Sequence, residues 1–142
     1  MFFFTNYYVT LLNILGYLVG PDRSYYKMFR SEKLSWSDAR ANCVYNGGDL
    51  ATIKDYPEKA FVKKSFPGET FWLGGSDIAN ENDWKWVDGT QVDRHIFDGH
   101  EPNNVGGEDC MAAYRHVGVA DHACSSPFNF LCEFGPKCSI LH

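Results

Sequence analysis

Residues 101–110 read EPNNVGGEDC. Glu101, Asn103, Asn104, Glu108 and Asp109 crowd carboxylate and amide oxygens into this stretch, with Pro102 set between the first two donors. Calcium takes about six to eight oxygen ligands from such groups; a solvated acidic loop is the plain alternative. More acid stands close by. Between Gly75 and Asp121 lie ten acids, Asp77, Glu81 and Asp121 among them, against three bases. That segment carries −7 in a chain whose net charge is −5. The balance argues against non-specific binding to nucleic acid or anionic membrane. No Ser-His-Asp or Cys-His arrangement is suggested. His95, His100, His116 and His142 share no metal-ligand spacing. The paired carboxylates are better explained as calcium ligands than as acid–base catalysts, so the chain is read as a non-enzyme.

The 142 residues suit one domain, or one domain plus a short leader. A first strand is expected at 25–29. Ser35 then reads as a helix N-cap, with Asp38 at the third helical position and Gly47-Gly48 as the stop. Trp36, Ala39, Ala41, Cys43 and Val44 are expected to form the buried face of that helix. Residues 50–53 are strand-like. A second helix should begin near Asp55, with Pro57 in its first turn and Ala60, Phe61 and Phe66 turned inward. Residues 71–74 form a buried strand, and 110–114 and 129–133 the closing strands. From 75 to 102 the pattern dissolves into polar loop, interrupted at 84–89. A loop this long inside a compact domain is normally functional.

The first 21 residues carry no charged side chain, and the apolar run from Val9 to Val19 fits a secretory h-region. A membrane anchor and a misassigned start are the other readings. Residues 1–21 are therefore expected to be a signal peptide and the chain to be secreted. The five cysteines, at 43, 110, 124, 132 and 138, form no CxxC pair. In an exported chain they read as two disulfides and one leftover thiol; in a cytosolic one they would be reduced.

Seven landmarks now fall in order: KLSWSDARANC (33–43), GGDLATI (47–53), FWLGGSD (71–77), WKWVDG (84–89), EPN (101–103), EDC (108–110) and FLCE (130–133). With them the chain resembles the C-type lectin-like domain over 25–134, leaving 135–142 as a tail. The resemblance implies an α+β fold, with two helices flanking two small antiparallel sheets and a long loop region presenting the ligand site. It implies the bridges Cys43–Cys132 and Cys110–Cys124. These close loops of about 90 and 15 residues, worth about 4.6 and 3 kcal/mol in loop entropy. Cys138 lies beyond the domain and reads equally as a free thiol or as a bridge between copies. At the landmark positions the four tryptophans read as core, and Phe97 as a ring packing beneath the loop.

The resemblance also names ligands. A principal calcium site would use Glu101, Asn103, Glu108 and Asp121, with the Glu101–Pro102 bond cis. An auxiliary site would use Asp77, Glu81, Asn104, Glu108 and Asp109. In sugar-binding members each hydroxyl of a diol touches the ion, donates to a carboxylate and accepts from an amide. The order Glu-Pro-Asn implies equatorial 3,4-diols, as in mannose, N-acetylglucosamine and fucose. One donor is absent: Ala120 stands where the family places an asparagine, and Val119 where it places a tryptophan. At about 1 kcal/mol per net hydrogen bond, plus a lost metal ligand, sugar affinity would fall about tenfold or more. The expectation is thus a weak calcium-dependent lectin of mannose type. The alternative is a calcium-stabilised protein- or surface-binding module that binds no sugar. His122, beside Asp121, reads as a surface histidine.

Overall fold

The computed structural model describes residues 2–103, 107–115 and 118–135. Asn104 and Cys138 lie outside the described residues. In chain order the elements are α1 (Phe2–Ile14), β1 (Leu18–Val19), β2 (Tyr25–Leu34), α2 (Trp36–Tyr45), β3 (Asp49–Leu50), α3 (Tyr56–Ser65), β4 (Phe71–Ser76), β5 (Lys85–Trp86), β6 (Cys110–Tyr114), β7 (Gly118–His122) and β8 (Phe128–Phe134). The fold is α+β. No helix among the described residues is long and apolar enough to cross a membrane.

The expected Ser35 cap is in place, and the helix expected near Asp55 is capped by Asp55 itself. The Asp38 N–H donates to Ser35 Oγ at 3.4 Å, and the Glu58 N–H to Asp55 Oδ1 at 2.9 Å. Gly47, with φ +95°, takes the left-handed turn that ends α2. The buried faces are narrower than the sequence suggested. At about 100° per residue, Trp36, Ala39 and Cys43 fall on one stripe of α2, and these are its buried residues. Ala41 falls on the far side and Val44 on the flank, and both are exposed. On α3 the buried stripe is Glu58, Lys59 and Val62. Ala60, expected to point inward, is exposed, while Phe61 is half-buried against Tyr26 with ring centroids 5.2 Å apart.

The strands run in the order β1-β2-β8-β4-β6-β7, with β3 on β8 and β5 on β4. Every pair is antiparallel except β4 with β8, which pair in parallel through Phe71↔Asn129 and Trp72↔Phe130. That parallel pair joins the two expected small sheets into one hydrogen-bonded network. The network also reaches back across residue 21, because Leu18 pairs with Tyr26 and Val19 with Tyr25. Tyr17 sets its edge on Phe134 and lies under the Lys27 ammonium.

All four tryptophans are buried. Indole N–H groups tie the layers together: Trp36 donates to the Leu73 carbonyl and Trp72 to that of Leu34, each at 2.8 Å. The disulfides are Cys43–Cys132, which fastens α2 to β8, and Cys110–Cys124, which closes the β6–β7 unit. Between β4 and β6 the described residues 77–103 and 107–109 include β5 and are anchored by the Trp84 and Phe97 rings, packed edge to face at 5.0 Å.

Candidate metal centre

The pairing of β4 with β6 brings two acids together. Ser76 lies opposite Cys110, so Asp77 and Asp109 leave the sheet side by side, and the Asp77 N–H donates to the Asp109 carbonyl at 3.0 Å. A turn through Asn82, at φ +66°, folds back so that its N–H donates to Asp77 Oδ2 at 2.8 Å. Glu81 is thereby carried to the same spot. Carboxylate oxygens of Asp77, Glu81 and Asp109 all lie within 4.8 Å of one another. Asp77 is 2% exposed. Burial, with the Asp109 carboxyl and the Glu81 charge adding to it, pushes its pKa up to about 6. Asp77 Oδ1 and Asp109 Oδ1 are buried and reached by no donor.

The second group sits where the Glu101–Asn103 segment meets β7. The Glu101–Pro102 bond is cis. Asn103 Nδ2 donates to Glu101 Oε1 at 2.9 Å, and the Asn103 N–H donates to Asp121 Oδ1 at 3.1 Å. Glu101, Asn103, Glu108, Ala120 and Asp121 line one open pocket of about 210 Å³. Glu101 and Asp121 crowd each other. The Asp121 carboxyl hydrogen-bonded against it, then burial, then the Asp121 charge push the Glu101 pKa up to about 7. Burial and the Asp121 charge raise that of Glu108, and His122 works against them. Glu101 Oε2 is a third buried oxygen without a donor.

Crowded carboxylates with individual buried oxygens left unsatisfied are costly unless something neutralises them. A hard cation removes both faults at once, and donor sets made only of oxygen suit calcium rather than zinc. The residues present therefore fit calcium at both places.

Each described residue of the expected principal set lines the one pocket. Asp77, Glu81 and Asp109 of the auxiliary set form the tight cluster, while Glu108 stands on the pocket side. Ala120, opposite Ala112 in the β6–β7 register, delivers its side chain to the pocket wall despite Val119 beside it. Val119 itself turns into the core. The pocket has two further walls, Tyr114 and His122. Their rings stack at 5.3 Å and 14°, and Phe128 meets the imidazole edge to face at 4.9 Å. His122 is thus a half-buried pocket residue rather than a free surface one. What brings these rings together is the period of two along β7 combined with its register on β6, which the sequence does not mark. Residues 118, 120 and 122 share a face with 110, 112 and 114, which puts Tyr114, Ala120 and His122 together.

Comparison with known proteins gives a consistent picture. The family model for the lectin C-type domain matches residues 32–134. The chain is 34% identical over 125 residues to human "C-type lectin domain family 17, member A", covering 87% of this chain but 32% of that protein's length. It is 33% identical over 96 residues to a type-2 ice-structuring protein of Brachyopsis segaliensis, covering 68% of this chain and 55% of that one. Among solved structures, the carbohydrate-recognition domain of the mouse scavenger receptor C-type lectin superposes with a TM-score of 0.76. Its identity is 32%, over 83% of this chain and 92% of that one.

Proposed function

The chain belongs to the family of lectin C-type domains, and from that membership we propose that it is a secreted, calcium-dependent carbohydrate-binding module of mannose-type specificity. Its chemistry is recognition, not catalysis. The observation that carries the reading is the single pocket that gathers Glu101, Asn103, Glu108 and Asp121 and leaves Glu101 Oε2 without a donor. Those four residues would hold the principal calcium ion, which supplies a Lewis-acidic centre for two vicinal hydroxyls. Around it, Glu101 accepts from one hydroxyl and the Asn103 amide donates to the same oxygen. Glu108 accepts from the second hydroxyl. No amide answers that second oxygen, because residue 120 is alanine, so binding to equatorial 3,4-diols of mannose, N-acetylglucosamine or fucose is weak.

The auxiliary ion would sit among Asp77, Glu81 and Asp109, held by the β4–β6 pairing. Weak single sites commonly gain strength by clustering, and Cys138 offers a covalent route to homo-oligomers. Elution from immobilised mannose by a chelator tests the reading, and retention in chelator equal to that in calcium would remove it. Ala120 favours one rival, a calcium-stabilised module that binds a protein or another surface. The likeness to an ice-structuring protein supports the idea that this fold also serves partners other than sugars. On that reading a calcium-loaded column would retain nothing, while calcium would still raise the melting temperature.

A further inference from the structure

Lysine is an unexpected residue on a buried helical stripe, yet Lys59 is 7% exposed and lies beside Val62 on the inner face of α3. A buried ammonium is tolerated only when it is paired. Its Nζ donates to Asp98 Oδ1 at 2.7 Å, and Lys63 Nζ stands 3.9 Å from Oδ2. Asp98 has a second engagement. Its Oδ2 accepts the Val119 N–H at 2.8 Å, and its own N–H donates to the Val119 carbonyl at 2.9 Å. Its carbonyl accepts the Glu101 N–H at 3.2 Å. One aspartate therefore holds α3, β7 and the turn leading into Glu101.

The connections close a ring. From Asp98 the chain reaches Glu101 in three residues, and from Val119 it reaches Asp121 in two. The Asn103 N–H bonded to Asp121 Oδ1 then joins the two arms. Gly118 makes the approach possible. It has φ +96°, and a Cβ there would stand 2.1 Å from Asp98 Oδ2. Neither Lys59 nor Asp98 lines the pocket of Glu101 and Asp121.

We propose that Lys59 and Asp98 are a positioning pair, which fixes the spacing of Glu101 and Asn103 from Asp121 and so sets the calcium affinity of the pocket. The pair rests on the reading of that pocket as a calcium site, but its mechanical part does not. With the Lys59–Asp98 contact intact, the 98–103 arm is ordered before any ion arrives. The Asp77–Glu81–Asp109 cluster depends on the β4–β6 pairing and serves as an internal control.

Asp98→Asn keeps an acceptor for the Val119 N–H and removes the charge that holds Lys59. Lys59→Met removes the cation, and the double variant Lys59→Met with Asp98→Asn avoids a buried unpaired charge should either single variant fold poorly. Amide exchange is followed in chelator over residues 99–103 and, for reference, over β4. Exchange at 99–103 should speed up at least fivefold in Asp98→Asn and in the double variant, with β4 unchanged. Calcium titration should then show the pocket weakened about five- to tenfold and the three-carboxylate cluster within twofold of wild type. Unchanged exchange at 99–103, or equal acceleration in β4, overturns the pair as a positioning device. If the wild type binds calcium only at the cluster, the pocket reading fails while the exchange result still judges the pair.

Discussion

Crowding against Asp121 and burial raise the Glu101 carboxyl, and this gives the ion-free protein a distinctive pH response. The carboxyls of Asp77, at about 6, and Glu101, at about 7, lie above the usual carboxylate range of about 4. The folded chain therefore binds protons that the unfolded chain has already released, so stability falls as pH rises through that window. In chelator the melting temperature should be higher at pH 5.5 than at pH 8. Calcium must displace the same protons, so its affinity should drop on acidification and its binding should release protons. Calorimetry in buffers of different ionisation enthalpy measures that release. A chelator melt that is lower at pH 5.5 would contradict the crowding. Ala120 allows a second check. The pocket wall already carries its side chain, so Ala120→Asn should restore one ligand and one amide donor. Mannose should then bind about tenfold tighter, about 1.4 kcal/mol, with galactoside near background. The acids of residues 101–109 stand out because oxygen-rich composition and the Glu-Pro-Asn order are local signals, whereas Asp77, Glu81 and Asp121 enter as ligands only through the family resemblance. Tyr114 and His122 were not legible, because their meeting depends on the register of β6 against β7.

Helices announced themselves through their ends. Ser35 and Asp55 are each followed at the third helical position by an acid; the first start was readable to the residue, the second only as lying near Asp55. Asp55→Ala should cost about 1 kcal/mol, read as a lower midpoint in denaturant with an unchanged slope. A midpoint that does not move would mean that water replaces the cap at no cost. Helix faces were less legible. A stripe containing Glu58 and Lys59 looks polar until the partner of Lys59, 39 residues onward in Asp98, is known. Strand β7 was hidden for a related reason. Gly118-Val119-Ala120-Asp121-His122 has one strong strand former, and only its five-residue register with β6 makes it a strand. The two closing strands, rich in aromatic and apolar residues, needed no such help.

At the scale of the whole molecule, two bridges and a buried aromatic core hold a frame on which the acidic loop is suspended. The landmark residues, spread from 33 to 133, made the frame and its bridges legible as a family resemblance. The parallel joint between β4 and β8, and the pairing of Leu18–Val19 with β2, involve backbone partners that no local pattern marks. The frame folds the charged segment back on itself, so that Asp77 meets Asp109 and Glu101 is crowded by Asp121. Such a molecule should be completed by calcium and should then present a weak sugar site. The most direct measurement is a calorimetric titration of methyl mannoside into the protein in millimolar calcium, repeated in chelator and with methyl galactoside. Saturable, weak mannoside binding in calcium, absent in chelator and absent for galactoside, is the predicted result. Mannoside heats that match dilution in calcium, or binding that survives the chelator, would contradict a calcium-dependent lectin of mannose type.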